Sequence, residues 1–185
     1  MTVVTLKQNI FKDYPNRYWV ETGTYEGDAV QKALDAGFEH CYSIELSDKY
    51  YQHAKDRFKD NPRVTIIHGD SALILYDVIK DLKGGITFWL DGHYSKGDTA
   101  IGEYCSPIIP ELFQIKEHGS KNTIIIDDMR NWRKSGRCNC SLYPCGKIYG
   151  FNEYDIIAEL FRININYNIE FIDGYTENDI LIARP

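Results

Sequence analysis

An α/β fold, with a mostly parallel sheet and helices on both of its faces, is what this sequence predicts. Three observations carry that expectation. Helical and strand-like patterns alternate along nearly the whole chain, the βαβα order that builds parallel sheets. Two strand-like runs, Ile86-Thr87-Phe88-Trp89-Leu90 and Thr123-Ile124-Ile125-Ile126, are apolar almost throughout, as strands buried on both faces are. Both runs stop at carboxylates, Asp91-Gly92-His93 and Asp127-Asp128. In open α/β sheets, ligands lie beyond the carboxyl ends of the strands.

The elements follow in order. Residues 5–12 read as a short amphipathic helix ended by Pro15, and residues 18–20 as the first strand. A helix over 29–36 is closed by Gly37. The second strand spans 40–45. Ser47 caps a helix running to about residue 59, with Pro62 beyond it. The third strand spans 64–68, and Ser71 caps a helix to about residue 82. Residues 86–91 form the fourth strand. Ser106-Pro107 is a cap and first-turn pair for a helix to about residue 117. The fifth strand covers 122–127. A long loop over 129–150 precedes a helix near 152–163, a strand near 167–172 and a last strand at 180–183. These two closing strands leave no room for a helix between them. Gly174 and Asn178-Asp179 mark a turn, so they form a hairpin and the last strand runs antiparallel. The loops 92–105 and 129–150 flank the same sheet end, and loops of that length in a compact domain are usually lids or binding loops.

At 185 residues the chain predicts one domain, residues 1–185, large enough for a real core. Hydrophobic residues make up 43% and charged residues 26%, the balance of a globular soluble protein. No apolar run approaches the roughly 20 residues that span a bilayer. The N-terminus lacks the layout of a signal peptide, which makes the cytoplasm the expected location and a membrane partner unexpected. The net charge is −6, so no basic footprint for nucleic acid is expected. Arg130, Arg133, Lys134 and Arg137 are the densest basic stretch: a solvated loop, or a contact for an anionic part of a substrate. Among five cysteines, Cys138, Cys140 and Cys145 crowd one loop. Three readings stay open for them: zinc with Cys105 as a fourth ligand, a disulfide or redox pair, or free thiols.

Glu21-Thr22-Gly23-Thr24-Tyr25-Glu26-Gly27 follows the first strand and opens a helix, with glycines that let backbone approach a ligand. The Gly-x3-Gly spacing is not the Gly-x-Gly-x2-Gly of dinucleotide folds. Glu45 ends the second strand, where an acid can accept hydrogen bonds from ribose hydroxyls. Gly69-Asp70-Ser71 ends the third, where an acid can meet an adenine amine. Any one of these acids could simply be a helix-dipole partner, worth roughly 0.3–1 kcal/mol. Three at successive strand ends point to a ribonucleoside site.

Glu21-x-Gly23-x3-Gly27, Glu45 and Gly69-Asp70 resemble the successive motifs of class I S-adenosylmethionine-dependent methyltransferases. The resemblance covers nearly the whole chain. It implies a Rossmann-like doubly wound sheet of order 3-2-1-4-5-7-6 with strand seven antiparallel. It also implies that Glu21, Thr22, Gly23, Thr24 and Gly27 surround the methionine part, with Asp91 able to meet its amine. Glu45 and Leu46 would lie at the ribose, and Gly69, Asp70 and Ser71 near adenine.

Asp91-Gly92-His93-Tyr94 and Asp127-Asp128 are similar to the metal-site motifs of the macrocin- and novobiocin-pathway sugar O-methyltransferases. That resemblance implies Asp91, Asp127 and Asp128 as ligands of a divalent cation, Mg²⁺ or else Mn²⁺ or Ca²⁺, as carboxylate oxygens select. The novobiocin-type pattern is Asp-Gly-Asp with its second acid as base; here that position is His93, which titrates near neutrality. The expected activity is therefore methyl transfer to a hydroxyl of a small molecule, with a sugar as the acceptor class and a homodimer as a possible assembly. Two other readings stand beside it: a metal-independent class I methyltransferase of a small molecule or a protein, and a nucleoside-binding module without catalysis.

Overall fold

The computed structural model describes residues 9–95, 97–119, 121–133 and 151–185. It contains seven strands: β1 (Tyr18–Thr22), β2 (His40–Glu45), β3 (Val64–His68), β4 (Ile86–Leu90), β5 (Thr123–Ile126), β6 (Asn168–Ile172) and β7 (Ile180–Arg184). Between them lie α1 (Asp28–Ala36), α2 (Asp48–Phe58), α3 (Ser71–Ile79), α4 (Ile108–His118), the one-turn α5 (Arg130–Arg133) and α6 (Glu153–Ile163). The sheet order is β3-β2-β1-β4-β5-β7-β6. β1 pairs in parallel with β2 and β4, β2 with β3, and β4 with β5; β7 runs antiparallel to both β5 and β6. Order and hairpin are those the sequence predicts.

Strand alternation separates two cores. Val20, Phe88, Leu90, Ile124 and Ile126 face α3, α4 and α6, packing on Leu75, Leu112 and Leu160. Trp19, Trp89, Ile125 and Ile182 face the other way, onto Phe11, Val30, Leu34 and Phe58. Both faces are therefore covered, which is why β4 and β5 are buried at every position. Each fully buried Phe or Ile contributes about 1.5–3 kcal/mol by leaving water. The edge strands β3 and β6 are only partly buried.

Local departures from expectation have simple causes. Asp70, not Ser71, caps α3: its backbone is still extended and its carboxylate accepts the Ala72 amide at 3.0 Å, whereas Ser71 is already helical. Pro107 stands in the cap position of α4, one residue later than expected. At the N-terminal end the described chain has a 3₁₀ turn, Ile10–Asp13, that buries Phe11. The loop beginning at residue 129 opens with α5. Cys138, Cys140 and Cys145, with Lys134 and Arg137, lie outside the described residues.

Candidate active site

β1 reaches two residues further than its apolar core suggests, so Glu21 and Thr22 are strand residues pointing to opposite faces. Glu21 is buried, and desolvation lifts its pKa well above the usual carboxyl range; Ser43 Oγ donates to it in partial compensation. Ser43 also sits 2.5 Å from Thr24 Oγ1, tying the loop after β1 to β2. Gly23 has φ +87°, and a Cβ there would lie 2.5 Å from the Asp91 carbonyl oxygen. The glycine loop and the end of β4 therefore touch backbone to backbone. Gly27 is also left-handed, with a Cβ position 2.7 Å from the Phe58 ring.

Glu45 is buried at the end of β2, and its two oxygens accept the Tyr25 amide at 2.8 Å and the Ser47 amide at 2.7 Å. The Leu46 carbonyl faces His68 Nε2 at 3.1 Å. Gly69 donates its amide to the Glu45 carbonyl at 3.0 Å, which sets Asp70 beside this group. Asp70 also accepts the Glu103 amide at 2.8 Å, and Gly102 packs so closely on its carboxylate that a Cβ would lie 2.1 Å away. The loop after β4 thus folds back over the end of β3. Tyr94 anchors it by donating its amide to the Cys105 carbonyl at 2.7 Å. Ser95 donates its amide to Thr99 Oγ1 at 3.3 Å, while Lys96 lies outside the described residues.

The second cluster forms where β4, β5 and the β6–β7 hairpin end. His93 Nε2 is 2.9 Å from Asp128 and Nδ1 is 3.4 Å from Asp91. Burial opposes a charge on His93, but the contacts with Asp128 and Asp91 outweigh it and lift its pKa to about 10. In this state it is an imidazolium. Asp128 adopts φ +60°, a left-handed turn that a short polar residue tolerates. Burial pushes its pKa up, yet His93 and Arg130 hold it below the ordinary value. Asp127 has no cationic partner of that kind among the described residues; burial, Asp91 and Asp128 raise it to about 8. Asp91 is also raised, chiefly by burial.

Ligand atoms within 4.8 Å of one another fall into two sets among the described residues, Asp91–His93–Asp128 and Asp127–Asp128–Asp179. Asp128 belongs to both. Asp179 is fully buried and accepts the Arg130 amide at 3.0 Å, while the Arg130 guanidinium bridges Asp179 and Asp128. Arg133 pairs with Glu153 at 3.2 Å and donates to the Glu177 and Asn178 carbonyls. Both arginines are engaged within the fold, so neither is a free contact for an anionic substrate.

Sequence reasoning passed over three residues that matter here and gave Arg130 a different role. Ser43 looked like ordinary strand content, and Arg130 like part of a basic loop. Asp179 looked like a turn marker. Glu111 lies in the first turn of α4, fully buried, with Ser71 Oγ donating to it at 2.6 Å; burial raises its pKa to about 7. Thr22 also hydrogen-bonds Glu111, and Ser106 Oγ is buried without a hydrogen-bond partner among the described residues. Gly92, His93, Ser106, Pro107 and Glu111 line one narrow crevice.

No protein-family model matches the sequence, and a search of curated proteins finds no match. Solved structures do match. The SAH-bound methyltransferase PaMTH1 of Podospora anserina superposes with TM-score 0.60 at 14% identity, covering 95% of this chain and 75% of that one. The O-methyltransferase of Bacillus cereus in complex with SAH gives TM-score 0.62 at 16% identity, covering 98% and 82%. Streptomyces venezuelae DesVI gives 0.55 at 12%, covering 95% and 86%. This chain has the fold of those methyltransferases. Its seven-stranded sheet, with the antiparallel β7 inserted between β5 and β6, is the shared feature.

Proposed function

We propose that the protein is an S-adenosylmethionine-dependent O-methyltransferase acting on a hydroxyl of a small molecule, with a divalent cation and with His93 as general base. One observation carries the reading. The glycine loop after β1 abuts the Asp91 backbone, and beside it Asp91, His93 and Asp128 converge within 4.8 Å. A donor held on the first would present its methyl group to an acceptor held at the second. The fold supports the donor, since two of its neighbours were solved with SAH, the demethylated form of that donor.

The residues present fit both groups. Gly23, with φ +87°, lets the loop after β1 lie directly against the Asp91 backbone at the end of β4. Asp91 with Asp128, and Asp127 with Asp128, offer hard oxygen ligands in two adjoining sets, Asp91 and Asp127 not falling in one set. A bound cation would supply a Lewis acid that lowers the pKa of the acceptor hydroxyl. The chain's own contribution is positioning: Glu45 and Asp70 hold the loops that bind the donor, and His93 faces the acceptor side. The imidazolium cannot act as a base while Asp91 and Asp128 hold its proton. Neutralising those carboxylates lowers its pKa and frees it to take the hydroxyl proton as oxygen attacks the sulfonium methyl. The donor is already activated, so orientation supplies most of the rate. A sugar is the acceptor class that the sequence resemblance implies.

The test is transfer of a labelled methyl group from S-adenosylmethionine to a panel of sugars and phenols, with and without chelator. Transfer that vanishes with chelator and returns with Mg²⁺ is the expected result, and His93→Ala should lower kcat at least about 100-fold, as general-base loss does. Full turnover after chelation would replace this by the second reading, a metal-independent methyltransferase. That reading is favoured by the fact that Asp128 already has two cationic partners, His93 and Arg130.

A further inference from the structure

We infer that Arg130 is a built-in counter-ion that takes the cation's place beside Asp128 and releases that carboxylate when a divalent cation binds. This rests on the cation reading above and extends it to a residue that reading does not use. Asp128 is common to both sets of converging ligand atoms. One of its oxygens contacts the Arg130 guanidinium and the other contacts His93 at 2.9 Å. Both oxygens of Asp128 thus already face a positive side chain, so a cation approaching Asp128 competes with one of them.

Arg130 is built to let go. Its guanidinium also pairs with Asp179, and its main-chain amide donates to Asp179 Oδ1 at 3.0 Å. Its guanidinium carbon lies 4.9 Å from the centre of the Tyr175 ring. Asp179 is fully buried and its carbonyl accepts the Met129 amide at 2.8 Å. Asp179 and Tyr175 are thus contacts of Arg130 that do not involve Asp128. A guanidinium and a divalent cation repel each other at contact distance, so each weakens the other's hold on Asp128. The affinity of the site for cation is therefore set by this competition as well as by its ligand count, and the cluster stays charge-compensated when no cation is bound.

The experiment measures Mn²⁺ binding by electron paramagnetic resonance on the full chain, for the natural protein, Arg130→Met, Arg133→Met and Asp128→Asn. Arg130→Met should bind Mn²⁺ about tenfold more tightly, in line with removal of one close charge pair. Arg133→Met should leave the affinity unchanged, and Asp128→Asn should abolish binding. Arg130→Met takes a partner from the buried Asp179, so its fold is checked by circular dichroism, and a second arm needs no variant. Phenylglyoxal should modify Arg130 of the natural protein several-fold faster when Mn²⁺ is present, with Arg133 unaffected. If Mn²⁺ binds in an Asp128-dependent way but neither affinity nor labelling responds at Arg130, the competition is overturned and the cation reading stands. If Mn²⁺ binds neither the natural protein nor Arg130→Met, both fall.

Discussion

The ends of β1–β3 and the ends of β4 and β5 are both rich in buried acids, but they satisfy them differently. On the first side the partners are mostly backbone amides: Tyr25 and Ser47 on Glu45, Ala72 and Glu103 on Asp70. On the second side they are charged side chains: His93 and Arg130 on Asp128, Arg130 on Asp179. Backbone donors are fixed by the fold and cannot leave without unfolding a loop. Side-chain counter-ions can be exchanged for a ligand of the same charge. One half is a rigid cradle and the other a set of replaceable contacts, the division expected when one substrate is bound the same way each time and the other carries the chemistry.

The largest effect should come where the two halves touch. Gly23→Ala combines a left-handed φ of +87° with a backbone clash at 2.5 Å, and backbone cannot swing aside as a side chain does. A loss of roughly 3 kcal/mol or more is expected by denaturant titration, and on the function proposed above calorimetry should find SAH binding abolished. Gly27→Ala meets the Phe58 ring instead and should be milder; equal losses would contradict the backbone contact as the key joint.

Alkaline pH should break the second half selectively. The pKa of His93 in the folded protein is about 10, above its usual value. Its contribution is complete below about pH 6.5 and disappears as pH rises through 10. Asp127, raised to about 8, works in the same direction, because deprotonating it in place is unfavourable. The unfolding free energy from urea titration should fall between pH 7 and 10 by an amount on the order of 2–4 kcal/mol, and His93→Gln should flatten the upper part of that fall. A midpoint that rises with pH would contradict the ion cluster.

Glu45→Gln should be smaller. A glutamine oxygen can keep one of the two amide bonds, and losing a charge-assisted bond costs about 1.5–3 kcal/mol. Since the partners are amides rather than charges, the loss should be nearly the same in 1 M salt as in low salt. The exposed Lys49–Asp98 pair at 2.7 Å should matter least: Lys49→Ala should leave the unfolding midpoint unchanged, as solvated ion pairs usually do.

Much of this was readable beforehand, for reasons the structure makes plain. β4 and β5 were legible because a strand buried on both faces has to be apolar throughout. The terminal hairpin was legible because two strands too close together for a helix can only pair back on themselves. The caps of α3 and α4 each slipped by a residue, since Asp70-Ser71 and Ser106-Pro107 offer adjacent candidates and only the backbone angles choose between them.

By itself, the sequence determined the sheet, its hairpin and the rows of acids at its carboxyl edge, because periodicity and strand-end chemistry are local. Which of those acids share a partner depends on packing between distant segments. Asp179 and Arg130 lie 49 residues apart, and Ser71 and Glu111 lie 40 apart. No spacing rule predicts such pairs; the packing of α3 against α4, and of the hairpin against α5, brings them together. The charge state of His93 was decided there too, since it depends on the distances to Asp91 and Asp128 and on how much water the fold excludes between them.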